Sequence, residues 1–286
     1  SRTLGNQSDS SRKRRNSDIQ PHSHKDNAMI SVSHLSKYFD GKPAVKDISV
    51  EYSPGECSLI IGASGSGKTV LLKSIVGLLE PDEGEVVFDG TVFNKLPFEE
   101  KKKTRSRIGM LFQGSALFDF ATAMENVMFP LDFFSQMSRA EKIERAAFCL
   151  RRVGLENVEG KYPSELSGGM QKRVGIARAI ALNPQYLFCD EPNSGLDPQT
   201  SVMIDRLIQE ITREYNITTV INTHDMNSVM EIGDKVMFIY QGEKRWEGSK
   251  DEILTADNRE LEEFIFASRM ARELKLRYGN GSPSRD

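Results

Sequence analysis

The sequence predicts an α/β fold in which a largely parallel sheet is covered by helices and interrupted by an inserted helical block. Three observations carry that prediction. From Met29 onward, β-branched apolar runs alternate with helical patterns. A glycine-rich loop, Gly62-Ala63-Ser64-Gly65-Ser66-Gly67-Lys68-Thr69, joins one apolar run to a helical one. Between about residues 114 and 182 the alternation stops and only helical patterning remains.

The chain has 286 residues, 38% hydrophobic and 28% charged, enough to bury a proper core. Its first 28 residues are polar and Ser/Arg-rich, so they cannot offset the entropy of ordering and are expected to be a disordered leader. The basic cluster Arg12, Lys13, Arg14 and Arg15 reads as part of a variable leader or as an arm for lipid or nucleic acid. Patterned sequence begins at Met29, which would serve as a start. Strands are predicted at Ile30 to Ser33, Ile48 to Tyr52, Cys57 to Ile61, Val86 to Phe88, Ile108 to Phe112, Tyr186 to Asp190, Thr218 to Asn222 and Lys235 to Ile239.

In the middle block, MSRAEKIERAAFCLRRVGL brings Ile143, Ala146, Ala147 and Leu150 to helical spacing. QKRVGIARAIAL does the same with Val174, Ala177 and Ile180. A last helix is expected from Asn258 to Tyr278, its stripe of Leu261, Phe264 and Ile265 either docking on a partner copy or packing on its own domain. The domain boundaries follow: a leader at 1–28, an α/β domain at 29–250 with its helical part at about 114–182, and a helical extension at 251–286.

Net charge −3 and a pI near 5.9 supply no basic field for a nucleic-acid backbone. Cys57, Cys149 and Cys189 are far apart, odd in number and form no CxxC pair, which favours a reducing compartment. No stretch approaches the roughly 20 consecutive apolar residues that span a bilayer, and no secretory signal is visible. A cytoplasmic protein, or one peripheral to a membrane, is expected.

The glycine-rich loop carries the first chemistry. It follows the apolar strand CSLII and opens the helical run VLLKSIVGLL. Glycines let the backbone bend until successive N–H groups face phosphate oxygens, and the helix N-terminus adds a favourable dipole. Lys68 is expected to reach the β- and γ-phosphates as a point charge, and the Thr69 hydroxyl to ligate Mg²⁺. The nucleotide-binding set thus runs through Gly62, Ala63, Ser64, Gly65, Ser66, Gly67, Lys68, Thr69 and Val70. A structural turn explains the glycines, but not Lys-Thr at that spacing.

A second apolar run, Tyr186-Leu187-Phe188-Cys189, ends in Asp190-Glu191-Pro192, two carboxylates at the carboxyl edge of a sheet where ligands gather. Asp190 is the expected Mg²⁺ partner. Glu191 is expected to act as general base on the attacking water, a role that contributes about 10²- to 10⁴-fold in rate.

Leu166-Ser167-Gly168-Gly169-Met170, followed by QKRVGIARAIAL, resembles the signature motif of the ATP-binding cassette ATPases. That family usually has Gln where this chain has Met170, with Gln171 next. The anion-binding work falls on Ser167 and on the N–H groups of Gly168 and Gly169. The resemblance spans about Met29 to Gly248 and implies a P-loop NTPase (RecA-like) core of the ABC ATPase type. It implies further that Gln113 is the Q-loop residue, catalytic and a Mg²⁺ ligand; that Ser194-Gly195-Leu196-Asp197 is the D-loop, with Asp197 in the nucleotide set; and that His224 is the switch histidine. The adenine-stacking aromatic aligns with Phe39, Tyr38 being the alternative. ATP and Mg²⁺ are the implied cofactors. Two copies are implied to pack head to tail as a homodimer, each signature segment closing over the partner's nucleotide.

The stretch from Gly114 to Phe120 and on to Leu131 carries Leu117, Phe118, Phe120, Met128 and Phe129, suited to a groove for a partner helix, about half of them being expected in the core. The segments MLFQGSALFD, ENVMFPL, PSELSGGM, DEPNSGLDP and NTHDMNSV resemble the ATPase subunit of Mla-type (MCE-associated) phospholipid transporters. That resemblance implies an integral membrane permease of the MlaE type, an MCE lipid-binding protein reached through it, and a position on the inner face of a bacterial cytoplasmic membrane. The alternative within the family is a cassette serving a transporter of amino acids or other small solutes. Soluble relatives that act on DNA or ribosomes carry tandem cassettes or a long coiled-coil insertion, and neither occurs in this sequence. The basic run Lys101, Lys102, Lys103, Arg105 and Arg107 reads as a solvated face or as a contact to anionic headgroups.

Overall fold

Residues 29–267 are described by the computed structural model, so the expected leader and the last part of the C-terminal helix lie outside them. Two sheets form. In the first, β1 (Ile30–Phe39) pairs antiparallel with β2 (Lys42–Tyr52) and with β4 (Glu83–Phe88), and β5 (Thr91–Val92) adds an edge, giving the order β2-β1-β4-β5. The second has the order β10-β9-β3-β8-β7-β6. Its parallel core comprises β3 (Cys57–Ile61), β6 (Ile108–Leu111), β7 (Tyr186–Asp190), β8 (Thr218–Thr223) and β9 (Lys235–Tyr240), with β10 (Glu243–Gly248) antiparallel at one edge.

β3, β7 and β8 are buried along their whole length, which is why β3 and β7 run mostly apolar without alternation, while β8, TTVINT, buries threonines and an asparagine as well. Their side chains still point to opposite faces with period two. Ile60, Phe188 and Val220 join one core with β1, β2, β4 and the helix α1 (Lys68–Ile75). Leu59, Ile61, Leu187 and Ile221 join the other, on the opposite face.

That second core receives the helices of the inserted block, α3 (Ala123–Phe134), α4 (Arg139–Arg152) and α5 (Gly168–Ile180), together with α6 (Pro198–Glu214) and α7 (Met226–Ile232). α3 and α4 start with capping boxes: Thr122 with Glu125, and Ser138 with Glu141. Such reciprocal bonds satisfy two otherwise unpaired backbone donors at each helix start. Val174, Ala177 and Ile180 are buried as their spacing predicts. On α4, Ala146 and Leu150 are buried but Ile143, one turn earlier, is exposed, so the apolar stripe begins later than its spacing suggests.

The largely parallel sheet is accompanied by an antiparallel one that the sequence pattern did not separate from it. β5 is two residues long, and β10 reads EKRWEG with no apolar alternation. Edge strands of this kind are held by their ladder and by charges rather than by burial. Here Glu247 pairs with both Lys235 and Lys244. In α2 (Phe98–Arg105), Lys102 and Lys103 are exposed, whereas Arg105 donates to the Gly77 carbonyl at 2.9 Å and Arg107 engages Asp89 and Gln185. The basic run is therefore only partly a solvated face.

A final helix over 259–267 packs on its own chain. Leu261 and Ile265 are buried in the second core, and the Phe264 ring lies 5.5 Å from that of Phe238.

Candidate active site

The glycine-rich loop leaves β3 at Gly62 and enters α1 at Lys68. Two of its glycines are obligatory. A Cβ on Gly62 would stand 2.3 Å from the Ile239 carbonyl oxygen, and one on Gly67, at φ +106°, would stand 2.4 Å from that of Ala44. No side chain larger than hydrogen fits there. α1 has no side-chain cap, so its first-turn N–H groups stay free of an internal acceptor. Ser66 Oγ is buried with no protein partner among the described residues.

Lys68 is buried, and its Nζ donates to the carbonyls of Gly62 at 2.9 Å and Ala63 at 3.0 Å. Glu191 Oε1 lies 3.8 Å from the same nitrogen. Burial lowers the Lys68 pKa, opposed by the carboxylates of Glu191 and Asp190.

Sheet register assembles the rest. β7 and β8 are neighbours with Asp190 opposite Asn222, so the residues just beyond, Glu191 and His224, emerge side by side. Glu191 Oε2 is 2.8 Å from His224 Nδ1, and the Glu191 N–H donates to the Asn222 carbonyl at 3.0 Å. Asp190 is buried; its Oδ1 accepts from Thr69 Oγ1 at 3.0 Å and from Asn222 Nδ2 at 3.1 Å. A hydroxyl and a carboxylate are the hard oxygen donors that Mg²⁺ takes. Among the described residues no group of His, Cys, Asp and Glu could hold a metal ion alone, so a site here needs phosphate oxygens and water to complete its shell. These residues fit Mg²⁺ bound together with a nucleotide.

Comparison with known proteins agrees with this geometry. Residues 45–194 match the family described as ABC transporter. The chain is 35% identical over 241 residues to the probable ribonucleotide transport ATP-binding protein mkl of Mycobacterium leprae, spanning 84% of this chain and 70% of that protein. The chain belongs to the ABC transporter ATP-binding cassette family. Against the methionine import ATP-binding protein MetN of Carboxydothermus hydrogenoformans it is 41% identical over 255 residues, 84% of this chain and 75% of that one. Among solved structures, the dimeric bacterial ABC transporter cassette MJ0796 superposes with a TM-score of 0.72 at 37% identity, covering 77% of this chain and 98% of that one. The same cassette in a post-hydrolysis state bound to ADP and Pi superposes equally well at 36% identity. This cassette is an ATPase with the mixed α/β P-loop fold of its family.

Among the described residues no hydrogen bond or ion pair joins the remaining sequence-predicted residues, Ser167, Gly168, Gly169, Asp197, Gln113 and Phe39, to that cluster. Ser167 is the exposed N-cap of α5, its Oγ accepting from the Met170 N–H at 3.3 Å. Behind it, a Cβ on Gly169 would lie 2.7 Å from Thr200 Cγ2, so the signature helix starts against α6. Among the described residues no hydrogen bond joins Ser167, Gly168 or Gly169 to the cassette's own residues 62–69. The Asp197 carboxylate caps α6, accepting from the Thr200 N–H at 3.0 Å and from its hydroxyl, which hold its pKa below the usual carboxylate value. Gln113 is exposed two residues beyond β6. Phe39 ends β1 with its ring exposed and Lys37 Nζ 5.6 Å from its centroid.

Sequence reasoning missed two residues that shape the site. Asn222 holds Asp190 from near the end of a wholly buried strand, and an amide directly after Val220-Ile221 was the available signal. Lys172 is buried with its Nζ 3.5 Å from the Glu191 carbonyl, and nothing in QKRVG sets it apart from its neighbours.

Proposed function

We propose that this cassette is the Mg-ATP-driven motor of a phospholipid transporter, working as a homodimer beneath an integral membrane permease of the MlaE type linked to an MCE lipid-binding protein. The observation that carries the hydrolytic part is the contact of Glu191 with His224 at 2.8 Å, beside Lys68 and Asp190. Lys68 meets the β- and γ-phosphate oxygens, exchanging its loop carbonyls for them. Thr69 and Asp190, with Gln113, would hold Mg²⁺, which would supply neutralisation of the charge that develops on those oxygens. Glu191 takes the proton from the water whose oxygen attacks the γ-phosphorus as the bond to ADP breaks. His224 orients that carboxylate through Nδ1.

Gly62 to Val70 wrap the phosphates, and Phe39 stacks on adenine. Ser167 and Gly168, which are exposed, and the half-buried Gly169, none bonded to the loop of its own copy among the described residues, meet the nucleotide of the second copy, with Asp197 near that junction. The ATPase domain is taken as 29–250 with its helical part at about 114–182, and 251–286 as an extension.

Coupling to a membrane partner is supported by a run of rings on the helical block. Phe118 lies 5.5 Å from Phe120 and 4.6 Å from Phe129, which lies 4.7 Å from Phe133. Phe120 and Phe133 are largely exposed, while Met128 is buried in the core. Exposed aromatics of this kind suit an amphipathic helix. Among the described residues no helix is long and apolar enough to cross a membrane, which fits a peripheral subunit on the cytoplasmic face.

The phospholipid cargo rests on the resemblance of the segments from MLFQGSALFD to NTHDMNSV. A second reading, small-solute import, is favoured by the similarity to MetN. Isolation of the native membrane complex, with identification of its permease and bound lipid and assay of ATPase stimulation by phospholipid and by methionine, tests both. An MlaE-like permease carrying phospholipid upholds the first reading; methionine stimulation with a solute permease replaces it.

A further inference from the structure

One buried acid is left unused by this account. Asp205, on α6, is almost wholly inaccessible, and burial pushes its carboxyl up to about 6. Its Oδ1 accepts from Asn193 Nδ2 at 2.7 Å, and Ser228 beside it opposes that rise in pKa. Asn193 Nδ2 also reaches Ser228 Oγ at 3.0 Å. The charged groups that raise it further are Asp225 and Glu231, flanking and within α7, and no cation is among the groups that shift it. The thiols of Cys57 and Cys189 face it from the sheet, and Arg206 on its own helix is paired with Glu231.

Asn193 and Ser228 are informative by their position. Asn193 stands two residues after Glu191, in the turn closed by Ser194 N to Glu191 O at 3.1 Å and Leu196 N to Asn193 O at 3.2 Å. Ser228 lies in the first turn of α7, four residues after His224. Glu191 itself holds a left-handed φ of +49°, a conformation that persists for a non-glycine residue only when its surroundings fix it.

We propose that Asp205 is a positioning residue for ATP hydrolysis: by holding Asn193, whose amide also reaches Ser228, it clamps the turn that carries Glu191 to the helix that follows His224. The clamp fixes the spacing of base and histidine, so it acts through them and touches neither nucleotide nor water. It rests on the reading of Glu191 as general base. An ionised carboxylate buried without a cation lowers stability, so this one opposes folding at neutral pH while serving the site. The sign follows from the pKa. A carboxyl raised from 3.8 to about 6 favours the fold below its unfolded value and loses that contribution as pH rises through about 6.

Activity and stability therefore move in opposite directions. In the full chain, Asp205→Leu and Asp205→Asn are expected to lower kcat by about ten-fold with KM for ATP changed less than about two-fold, while the thermal midpoint at pH 7.5 is held or raised. Asn193→Ala is expected to lower kcat similarly, and adding it to Asp205→Leu to cost little more, because both break one link. Wild-type kcat in both Asp205 variants overturns the proposal, as does a joint fall of kcat and thermal midpoint in both, which is the mark of a purely structural acid. Glu191→Gln measured alongside separates the two claims. Near-normal turnover there sinks the general-base reading, whereas a dead Glu191→Gln beside fully active Asp205 variants sinks only the clamp.

Discussion

Two helices of the cassette begin where an anion can be met, and their first turns are satisfied differently. α1 starts at Gly67 in a left-handed conformation with no side-chain cap, and its Lys68 and Thr69 meet Asp190 and Glu191 from the end of β7 in the same chain. α5 starts at Ser167, whose hydroxyl caps Met170, and its glycines back onto Leu196 and Thr200. The first start is furnished with a cation, a hydroxyl–carboxylate pair and the carboxylate proposed as base. The second offers one hydroxyl and backbone donors. On the proposed dimer, a complete site forms only when the second start of one copy meets the first of the other.

The largest effect is expected at α1. Lys68→Ala removes the cation proposed to face the phosphates, and both Mg-ATP binding and turnover are expected to fall to background in a nucleotide-binding and phosphate-release assay. Glu191→Gln splits these two properties. The amide keeps the shape and removes a negative charge near Lys68, so Mg-ATP still binds and an ATP-locked dimer accumulates. Turnover falls by about 10²- to 10⁴-fold, because the amide cannot accept the proton. Asp190→Asn damages positioning and charge neutralisation together, so it weakens Mg²⁺-dependent nucleotide binding as well as rate. Size exclusion with ATP and Mg²⁺ distinguishes the variants.

At α5 the comparison predicts a change that the monomer does not feel. Ser167→Arg is expected to leave ATP affinity of the single chain intact and to abolish the ATP-dependent dimer, since the side chain fills the space where the partner's γ-phosphate must come. Ser167→Ala is milder and carries its own control: loss of the cap costs about 0.5–2 kcal/mol of stability, read from denaturant unfolding, apart from any loss in dimerisation. If Ser167→Arg dimerises with ATP at wild-type affinity, the two helix starts do not meet and the composite site is wrong.

Sequence made the first start legible because its chemistry is contiguous. Gly62 to Thr69 occupy one loop and Asp190-Glu191 one strand end, and β3 and β7 have the bounds that their apolar runs predict. What it left unread is set by the register between distant strands. Asn222 reaches Asp190 only because β8 pairs with β7, and Asp205 meets Asn193 only because α6 folds back over the turn. β10 and β5 escaped for a different reason: an edge strand exposes its side chains, so it carries no apolar alternation. Of the two roles left open for the stripe, packing on its own core is the one that Leu261 and Ile265 take. Leu261→Ala is accordingly expected to cost about 2–5 kcal/mol of unfolding free energy while ATP affinity is retained in the folded fraction.

The smallest expected effect separates the two ends of the nucleotide at α1. On the proposed reading the phosphates are met by buried groups such as Lys68, but the adenine by Phe39, an exposed ring at the end of β1. Aromatic stacking is worth about 0.5–1.5 kcal/mol, so Phe39→Ala is expected to weaken ATP binding by roughly two- to twelve-fold. Stacking is felt equally in ground and transition states, and kcat at saturating ATP is therefore expected to stay within about two-fold. Phe39→Tyr should restore affinity, since the ring face is kept. Tyr38→Ala is the counter-test: its backbone N–H donates to Asp82 at 2.7 Å and survives the substitution, leaving the strand end anchored. A loss of ATP affinity in Tyr38→Ala with none in Phe39→Ala moves the adenine contact to Tyr38, and a loss of kcat in Phe39→Ala at unchanged affinity removes it from this strand end altogether.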